Sequence, residues 1–174
     1  MILNLKTKKI TECYYREVDF SEAGEYVPPR WVFDFKKDYE EGYKIFVLET
    51  LEYPGTAQGV VAIGINQAEY TVHLKSAESS ADNKYYIRGL ERNGINKDRI
   101  YKGVGANLVA FACQYSFENE CEGYMYLISK TSTLPFYQDK LKGVPFGQRV
   151  LFNPNTSLAL VKEHFPGGAI KWVE

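Results

Sequence analysis

A glycine-containing segment between Arg99 and Glu118 carries the residue types whose spacing suggests chemistry. Gly103 and Gly105 stand in a basic, polar turn directly after Lys102. A helix start leaves backbone N–H groups without partners and carries partial positive charge, and glycines let a bulky anion approach them. Apolar residues then recur at spacings of three and four, which predicts a helix after the turn. These apolar residues are Val104, Leu108, Phe111, Ala112 and Tyr115. The segment is therefore a candidate cradle for a pyrophosphate.

Gly-x-Gly before a helix is a weak signal by itself, and a tight loop before an ordinary core helix explains it equally well. Two standard phosphate motifs do not fit. The Walker loop needs Lys-Ser or Lys-Thr after its second glycine, where this chain has Ala106 and Asn107. The dinucleotide fingerprint needs a third glycine where Leu108 stands. The rest of the chain has to decide between these interpretations.

Strand patterns around the segment indicate how it is held. Runs rich in β-branched and aromatic residues, bounded by turn residues, predict strands. They are Ile2–Leu5, Lys44–Thr50, Ala57–Ile65, Glu69–Ala77, Gly123–Ser129 and Phe146–Phe152. Further helices are predicted from Ser132 to Gly143 and from Ser157 to Phe165. The polar stretch 83–98 is either a loop or contains a short strand at 85–87.

The order of these elements predicts the fold class. A strand, a helix and a strand in sequence imply a right-handed crossover, so the 69–77 and 123–129 strands are expected to be parallel. The remaining neighbours are joined by short turns and are expected to be antiparallel. We therefore predict an α+β fold with a mixed, mostly antiparallel sheet, one parallel strand pair and helices on both faces. A chain of 174 residues suits one domain spanning 1–174.

Composition narrows the function classes. Hydrophobic residues make up 45% of the chain and aromatic residues 15%, as in a folded globule. A net charge of −1 does not favour nucleic acid as a partner, and no apolar run is long enough to predict a membrane span. The N-terminus lacks the hydrophobic region of a signal peptide, so a cytoplasmic location is expected.

The cysteines and histidines favour neither a metal site nor a disulfide framework. Cys13, Cys113 and Cys121 are odd in number and lack C-x-x-C spacing. His73 and His164 are far apart in sequence, so a hydrolase with Cys113 or Cys121 as nucleophile has no histidine placed to activate it. We expect no metal.

Three motifs in order resemble those of the GNAT superfamily of acyl-CoA-dependent N-acyltransferases. Tyr101–Ala106 resembles its pyrophosphate loop, and Gly123–Ser129 resembles its fifth strand. Leu134-Pro-Phe-Tyr137, with Lys140, Leu141 and Gly143 behind it, resembles the end of its tyrosine-bearing helix. The resemblance covers residues 44–165. It implies an acetyltransferase that uses acetyl-CoA as acyl donor and a small-molecule or peptide amine as acceptor.

The chain departs from the superfamily pattern at several points. The Arg or Gln of the pyrophosphate loop falls on Ile100, with Arg99 one place early. An insertion separates Ser80 from the glycines, and the tyrosine helix carries additional sequence at Lys142. The asparagine often found before that helix is replaced around Lys130 and Thr131.

The resemblance also implies where the donor binds. The pantetheine arm would lie between the splayed fourth and fifth strands and pair with the backbone at 77–80, and main-chain N–H groups of 102–106 would hold the pyrophosphate. The candidate binding residues are Ser79, Ser80, Tyr101, Lys102, Gly103, Val104, Gly105, Ala106, Lys130 and Thr131.

Two residues are candidates for the acid–base chemistry of direct acyl transfer. Tyr137 matches the superfamily's general acid, although packing beside Leu134 and Leu141 would also explain it. Glu78 is the candidate base at the end of the fourth strand, where a solvated glutamate is the alternative. His73 is the second candidate base, and a half-exposed strand residue is its alternative.

Other functions remain open from the sequence. The same fold would serve a non-catalytic acyl-CoA-binding module. A partner-binding protein could use Trp31, Phe33 and Phe35 as its interface, although core packing also explains these aromatic residues, and so does the wall of an acceptor pocket. The acceptor is not identified, and the resemblance makes a homodimer possible.

Overall fold

The computed structural model of the chain describes residues 1–88, 93–168 and 170–173. Within them the strands are β1 Ile2–Asn4, β2 Ile10–Thr11, β3 Cys13–Val18, β4 Lys44–Thr50, β5 Gly59–Asn66, β6 Thr71–Ser79, β7 Tyr86–Ile87, β8 Gly94–Ile95, β9 Tyr101–Lys102, β10 Met125–Ile128, β11 Val144–Phe146 and β12 Arg149–Phe152. The helices are α1 Phe20–Ala23, α2 Phe35–Glu40, α3 Val104–Glu118 and α4 Pro154–His164. Short 3₁₀ turns lie at Ala81–Asn83 and Thr131–Thr133, and a π-helical turn lies at Phe136–Lys140.

The central sheet has seven strands in the order β11-β12-β10-β6-β5-β4-β3. Strands β6 and β10 are parallel, and the other neighbours are antiparallel. The helix α3 connects the two parallel strands, as a parallel pair requires. The predicted α+β class, with a mostly antiparallel sheet and one parallel pair, is confirmed.

Both faces of the sheet are buried, because alternate residues of its central strands point to opposite sides. On β4, Phe46 and Leu48 pack in the core beneath α3 and α4, whereas Ile45 and Val47 pack in a second core beneath α1 and α2. Strand β5 divides its residues in the same way. The prediction of helices on both faces is therefore also confirmed.

Strands β6 and β10 are paired over only a short part of their length. Their register pairs end where Leu74 faces Leu127. Strand β6 then contains a β-bulge against β5, since Ser76 and Leu74 face consecutive β5 residues and Lys75 is left between them. Strand β10 ends at Ile128 while β6 continues to Ser79. The two parallel strands thus separate and leave a cleft between them.

The N-terminal strand supports the glycine segment. Strand β1 pairs with β2 on one side and with β9 on the other, and β9 leads directly into α3. The inserted stretch contains the hairpin β7–β8, so the strand considered at 85–87 is present in part. Residues 89–92 of that stretch lie outside the described residues.

Some elements differ from the sequence prediction or were absent from it. No element was predicted for residues 13–26, which form the edge strand β3 and the helix α1. Strand β3 buries Cys13, Tyr14 and Tyr15 in succession and so shows no alternation. The single strand predicted at 146–152 is a hairpin of β11 and β12, with Gly147 at a φ of 61° in its turn.

The two C-terminal helices also differ from their predictions. The helix expected between 132 and 143 contains a π-helical turn, closed by the Leu141 N–H donating to the Phe136 carbonyl at 3.3 Å. A π turn closes its hydrogen bond over one more residue than an α-helical turn does. Helix α4 begins at Pro154, before the predicted start at Ser157, because Asn153 caps it by accepting the Thr156 N–H at 3.0 Å.

A glycine on β5 permits the close approach of α3. A Cβ atom placed on Gly59 would lie 2.8 Å from Cγ1 of Val104, 3.1 Å from Cδ1 of Leu108 and 3.3 Å from the Glu78 carbonyl oxygen. Val104 is buried and β-branched, so it cannot move aside easily. The start of α3 is thereby held against β5 and β6.

We predict that Gly59→Ala lowers the free energy of unfolding by about 1–3 kcal/mol, because overpacking pushes α3 away from the sheet. Urea unfolding measures the change. Gly167→Ala is the matched control, since its added Cβ would meet nothing within 4 Å. Equal stability of the two variants would contradict the close packing of α3.

Candidate functional site

The cleft between β6 and β10 has a volume of about 370 Å³. Its walls combine the end of β6, the residues after β10 and the π-helical turn. Glu78 and Ser79 come from β6, Lys130 from the segment after β10, and Tyr137 from the π-helical turn. Phe33, from the segment before α2, closes one side. The opening between the two strands is therefore lined by residues that lie far apart in sequence.

A larger groove, of about 1350 Å³, lies beside the cleft at the start of α3. Ser79 and Lys84 line both cavities, so the two adjoin at these residues. Basic side chains outnumber acidic ones along the groove, which also contains Asp98 and Glu163. The basic residues are Lys6, Lys8, Lys84, Lys97, Arg99, Lys102 and Lys140. This excess of positive charge suits an anionic ligand.

The N-terminus of α3 faces this groove. Gly103 is its N-cap residue, with a φ of 94° and no side-chain capping hydrogen bond. A Cβ atom on Gly103 would meet nothing within 4 Å, and the first intrahelical bond runs from the Asn107 N–H to the Gly103 carbonyl at 2.9 Å. Open space above a helix N-terminus without a side-chain cap is the arrangement that binds phosphate groups.

The strand before this loop is fixed from beneath. The Tyr101 side chain is fully buried, and its hydroxyl lies 3.2 Å from the Thr50 hydroxyl and donates to Glu52 Oε2 at 2.5 Å. Burial, followed by the hydrogen bond to Glu52, raises the pKa of Tyr101 to about 12. Its backbone N–H donates to Asn83 Oδ1 at 2.9 Å. Tyr101 therefore positions the loop, and its side chain points away from the groove.

The other predicted donor-binding residues fall into different places. Lys102, Gly103, Gly105 and Ala106 line the groove. Val104 is the first residue of α3, and its side chain is buried against β5. Ser80 turns its hydroxyl towards Asn83, whose amide donates to it at 3.0 Å. Thr131 is exposed and is not among the residues that line the two cavities.

Tyr137 is half-buried in the cleft, where burial raises the pKa of its phenol. Its ring packs edge-on against Phe136, with the centroids 5.2 Å apart. Phe136 in turn approaches Gly105 at the start of α3. The phenol is therefore protonated at neutral pH and lies close to the helix that faces the groove, as a proton donor would have to be.

Glu78 is buried in the same cleft and is already surrounded by donors. The Val32 N–H donates to both of its carboxylate oxygens, at 3.0 and 2.9 Å, and the Phe33 N–H donates to Oε2 at 3.1 Å. Lys84 forms an ion pair with Oε1. A carboxylate offers about four lone-pair sites, and these four contacts occupy them. Glu78 thus ties the segment before α2 to β6.

His73 lies outside the cleft, on the α2 face of the sheet. Its ring stacks on Tyr126, with the centroids 4.5 Å apart, and its Nδ1 lies 2.8 Å from the Tyr43 hydroxyl. Burial, with the charges of Lys75 and Arg149, lowers its pKa to about 4. The imidazole is therefore neutral at pH 7 and packs as a partly buried strand residue.

Comparison with solved structures identifies the architecture. AtaTR bound with acetyl-CoA matches with a TM-score of 0.58 and 10% identity, over 86% of this chain and 98% of that one. A chimera of the spermidine N-acetyltransferase SpeG from Vibrio cholerae and hSSAT matches with a TM-score of 0.53 and 12% identity, over 85% and 99%. The chain has the GNAT fold. No protein-family model matches the sequence, and neither does any curated protein.

The crystal structure of a bacterial toxin is similar to the same degree, with a TM-score of 0.58 and 10% identity over 89% of this chain and 98% of that one. At identities of this size the likeness concerns the fold. Within the described part of the chain, no helix has the length and apolar character needed to cross a bilayer. The described residues likewise contain no group of three or more His, Cys, Asp or Glu side chains placed to hold a metal ion.

The aromatic residues before α2 mostly serve packing in this GNAT fold. Trp31 and Phe35 are buried in the core beneath α1 and α2, so they are not available as an exposed interface. Phe33 is the partly buried member, and its ring faces the cleft, where Lys130 Nζ lies 5.8 Å from the ring centroid. Core packing is therefore confirmed for two of the three aromatic residues.

The cysteines are buried as well. Cys113 is fully buried, and burial raises its pKa to about 12. Burial also raises the pKa of Cys13 and of Cys121. A nucleophilic cysteine has to reach its thiolate form, so these three thiols are poor candidates for a hydrolase.

Sequence reasoning missed part of the basic groove. Lys6 and Lys8 lie in the turn between β1 and β2, and Lys84 lies in the insertion. A basic run at 6–9 was visible in the sequence. Its meaning depends on the pairing of β1 with β9, which is a contact between residues about a hundred positions apart. Local patterns do not reveal such a contact.

We predict that stability falls as the pH drops from 6.5 towards 4, and that His73 contributes to the loss. Unfolded His73 binds a proton near 6.5 but the folded form only near 4, so acid favours the unfolded state in this window. After discounting for partial exposure, His73→Gln should reduce the acid-induced loss by about 1 kcal/mol. Urea unfolding of both proteins across this pH range tests the prediction, and parallel losses would refute it.

Proposed function

We propose that the chain is an acetyl-CoA-dependent N-acetyltransferase that transfers acetyl directly to an amine. The observation that carries the proposal is that two cavities adjoin: a cleft between separated parallel strands, and a basic groove at a helix start without a side-chain cap. AtaTR, which shares the fold, has been solved with bound acetyl-CoA. A long donor with a charged end and a neutral arm matches such a pair of cavities.

In this proposal the N–H groups at 103–106 hold the donor's diphosphate, as helix N-termini do elsewhere. Lys102 and the other groove lysines neutralise the phosphate charges, including that of the 3′-phosphate. Ser79 lies where groove and cleft meet, so the β6 edge next to it can pair with the pantetheine amides. Main-chain contacts of this kind would fix the thioester at the cleft.

Acetyl-CoA supplies the acetyl group as a thioester. When the amine nitrogen bonds to the carbonyl carbon and the carbon–sulfur bond breaks, one proton leaves the amine and the thiolate gains one. Tyr137 is the proposed proton donor to the sulfur, since its phenol is protonated and lines the cleft.

Glu78 remains the proposed acceptor of the amine's proton, by way of water. Its oxygens are held by the Val32 and Phe33 amides and by Lys84, so direct attack on the proton would first break one of these contacts. This engagement is the observation that favours the second candidate function, a non-catalytic acyl-CoA-binding module. Turnover separates the two, because the module would bind acetyl-CoA and release no CoA with any amine.

We predict that acetyl-CoA at about a hundred times its dissociation constant stabilises the protein by roughly 2.7 kcal/mol. Lys102→Ala should raise the dissociation constant about tenfold, because one charge-assisted phosphate contact is lost. Lys36→Ala on α2 is the control, since α2 lies on the opposite face of the sheet from α3. Thermal denaturation and calorimetry give both values. The absence of any shift at millimolar acetyl-CoA would overturn the proposed function.

We predict that Tyr137→Phe lowers kcat by about a hundredfold or more and leaves the dissociation constant of acetyl-CoA unchanged, because only proton donation is removed. Release of CoA over pools of amines measures turnover. Tyr70→Phe, at a well-exposed tyrosine, is the control. Unchanged turnover in Tyr137→Phe would remove the phenol from the chemistry.

A further inference from the structure

A third cavity, of about 360 Å³, adjoins the cleft on the α2 side. Phe33, Lys75, Ser76 and Ile128 line both spaces, so the cavity and the cleft lie side by side. The far wall is α2 with its preceding and following residues, and it contributes acidic groups. These are Asp34, Asp38 and Glu41.

Two of the three carboxylates are already partnered. Asp34 caps α2, and its Oδ1 accepts the Lys37 N–H at 2.9 Å. Glu41 Oε2 lies 3.4 Å from the Lys75 ammonium. The Lys75 Nζ also lies 5.8 Å from the centroid of the Tyr43 ring. The negative charge of these two residues is therefore partly offset by the protein itself.

Asp38 differs from both. Its side chain is buried, with 6% of the residue exposed, and its Oδ2 has no hydrogen-bond partner among the described residues. Burial raises the pKa of its carboxyl, with Glu41 and Asp34 adding to the rise, while Ser76 and Lys75 oppose it. Burying a carboxylate without a full set of partners destabilises the folded state. A cation bound in the cavity, which Asp38 lines, would offset this negative charge.

The surroundings of Asp38 offset its charge only in part. His73, on the opposite wall, is neutral at pH 7, since its pKa is about 4. Lys37 and Lys75 also line the cavity, but Lys75 is paired with Glu41, and two lysines do not balance the three carboxylates. Phe33 offers an aromatic ring at the boundary with the cleft, a surface on which ammonium groups bind favourably.

We propose that this cavity is the subsite for a second cationic group of the acceptor, so that the substrate is an amine with at least two cationic centres. The inference rests on the proposed function, which places the reacting amine in the cleft. One amine is acetylated there while the other ammonium pairs with Asp38. An alkyl chain between them runs past Phe33 and Ile128, which line both spaces.

Binding tests the subsite without relying on turnover. Calorimetry compares putrescine with n-butylamine, which has the same carbon chain and a single ammonium. We expect putrescine to bind at least about tenfold more tightly to the unaltered protein, as one added charge-assisted contact implies. Equal affinities, or no binding of putrescine at millimolar concentration, would overturn the proposal.

Asp38→Asn keeps the shape of the side chain and removes its charge. The preference for putrescine should disappear in this variant, while the dissociation constant of acetyl-CoA stays the same. Glu40→Gln is the matched control, because Glu40 belongs to α2, is exposed and does not line the cavity. A preference that survives in Asp38→Asn would contradict the role of Asp38.

The melting temperature is a second measurement. If Asp38 only stabilised the fold, its substitution would lower that temperature. Asp38→Asn should raise the melting temperature or leave it unchanged, because a buried charge without a partner is removed. A marked fall would show that Asp38 serves the fold and would overturn the subsite. If acetyl-CoA fails to bind, the proposed function fails, whereas the putrescine comparison still reports on the cavity alone.

Discussion

The separation of two parallel strands is the constraint on which the rest of this molecule depends. Register pairing of β6 with β10 ends at Leu74, where β6 also contains the bulge at Lys75. Beyond this point β6 lines the cleft, and the π-helical turn contributes Tyr137 to the same cleft. Gly59 lets α3 lie close enough to place its N-terminus beside that opening.

Local patterns predicted the elements that carry this arrangement, because their periodicity is a property of neighbouring residues. The strand β4 was predicted with its observed bounds, and the helix after Gly103 with its apolar stripe. The parallel pairing of β6 with β10 followed from the order of elements alone. Strand β3 could not be predicted, since burial on both faces removes the alternation that marks a strand.

The candidate site was predictable only where it lies along one stretch of chain. The glycine loop and Tyr137 were found by motif, whereas Asp38 gave no signal, because its burial depends on α2 packing against β6. Two buried carboxylates in neighbouring cavities illustrate the point. Glu78 is surrounded by donors and ties segments together, while Oδ2 of Asp38 has no hydrogen-bond partner in the described part of the chain. The sequence shows two acidic residues, and only the tertiary contacts separate their roles.

The burial of all three cysteines has a practical consequence for work with this protein. A disulfide dye that reports free CoA by its colour should react slowly with the folded chain, because thiols of raised pKa present little thiolate. The background of such an assay stays low for as long as the chain stays folded. Colour that develops without substrate then marks molecules that have opened, so one reagent reports both catalysis and the integrity of the sample.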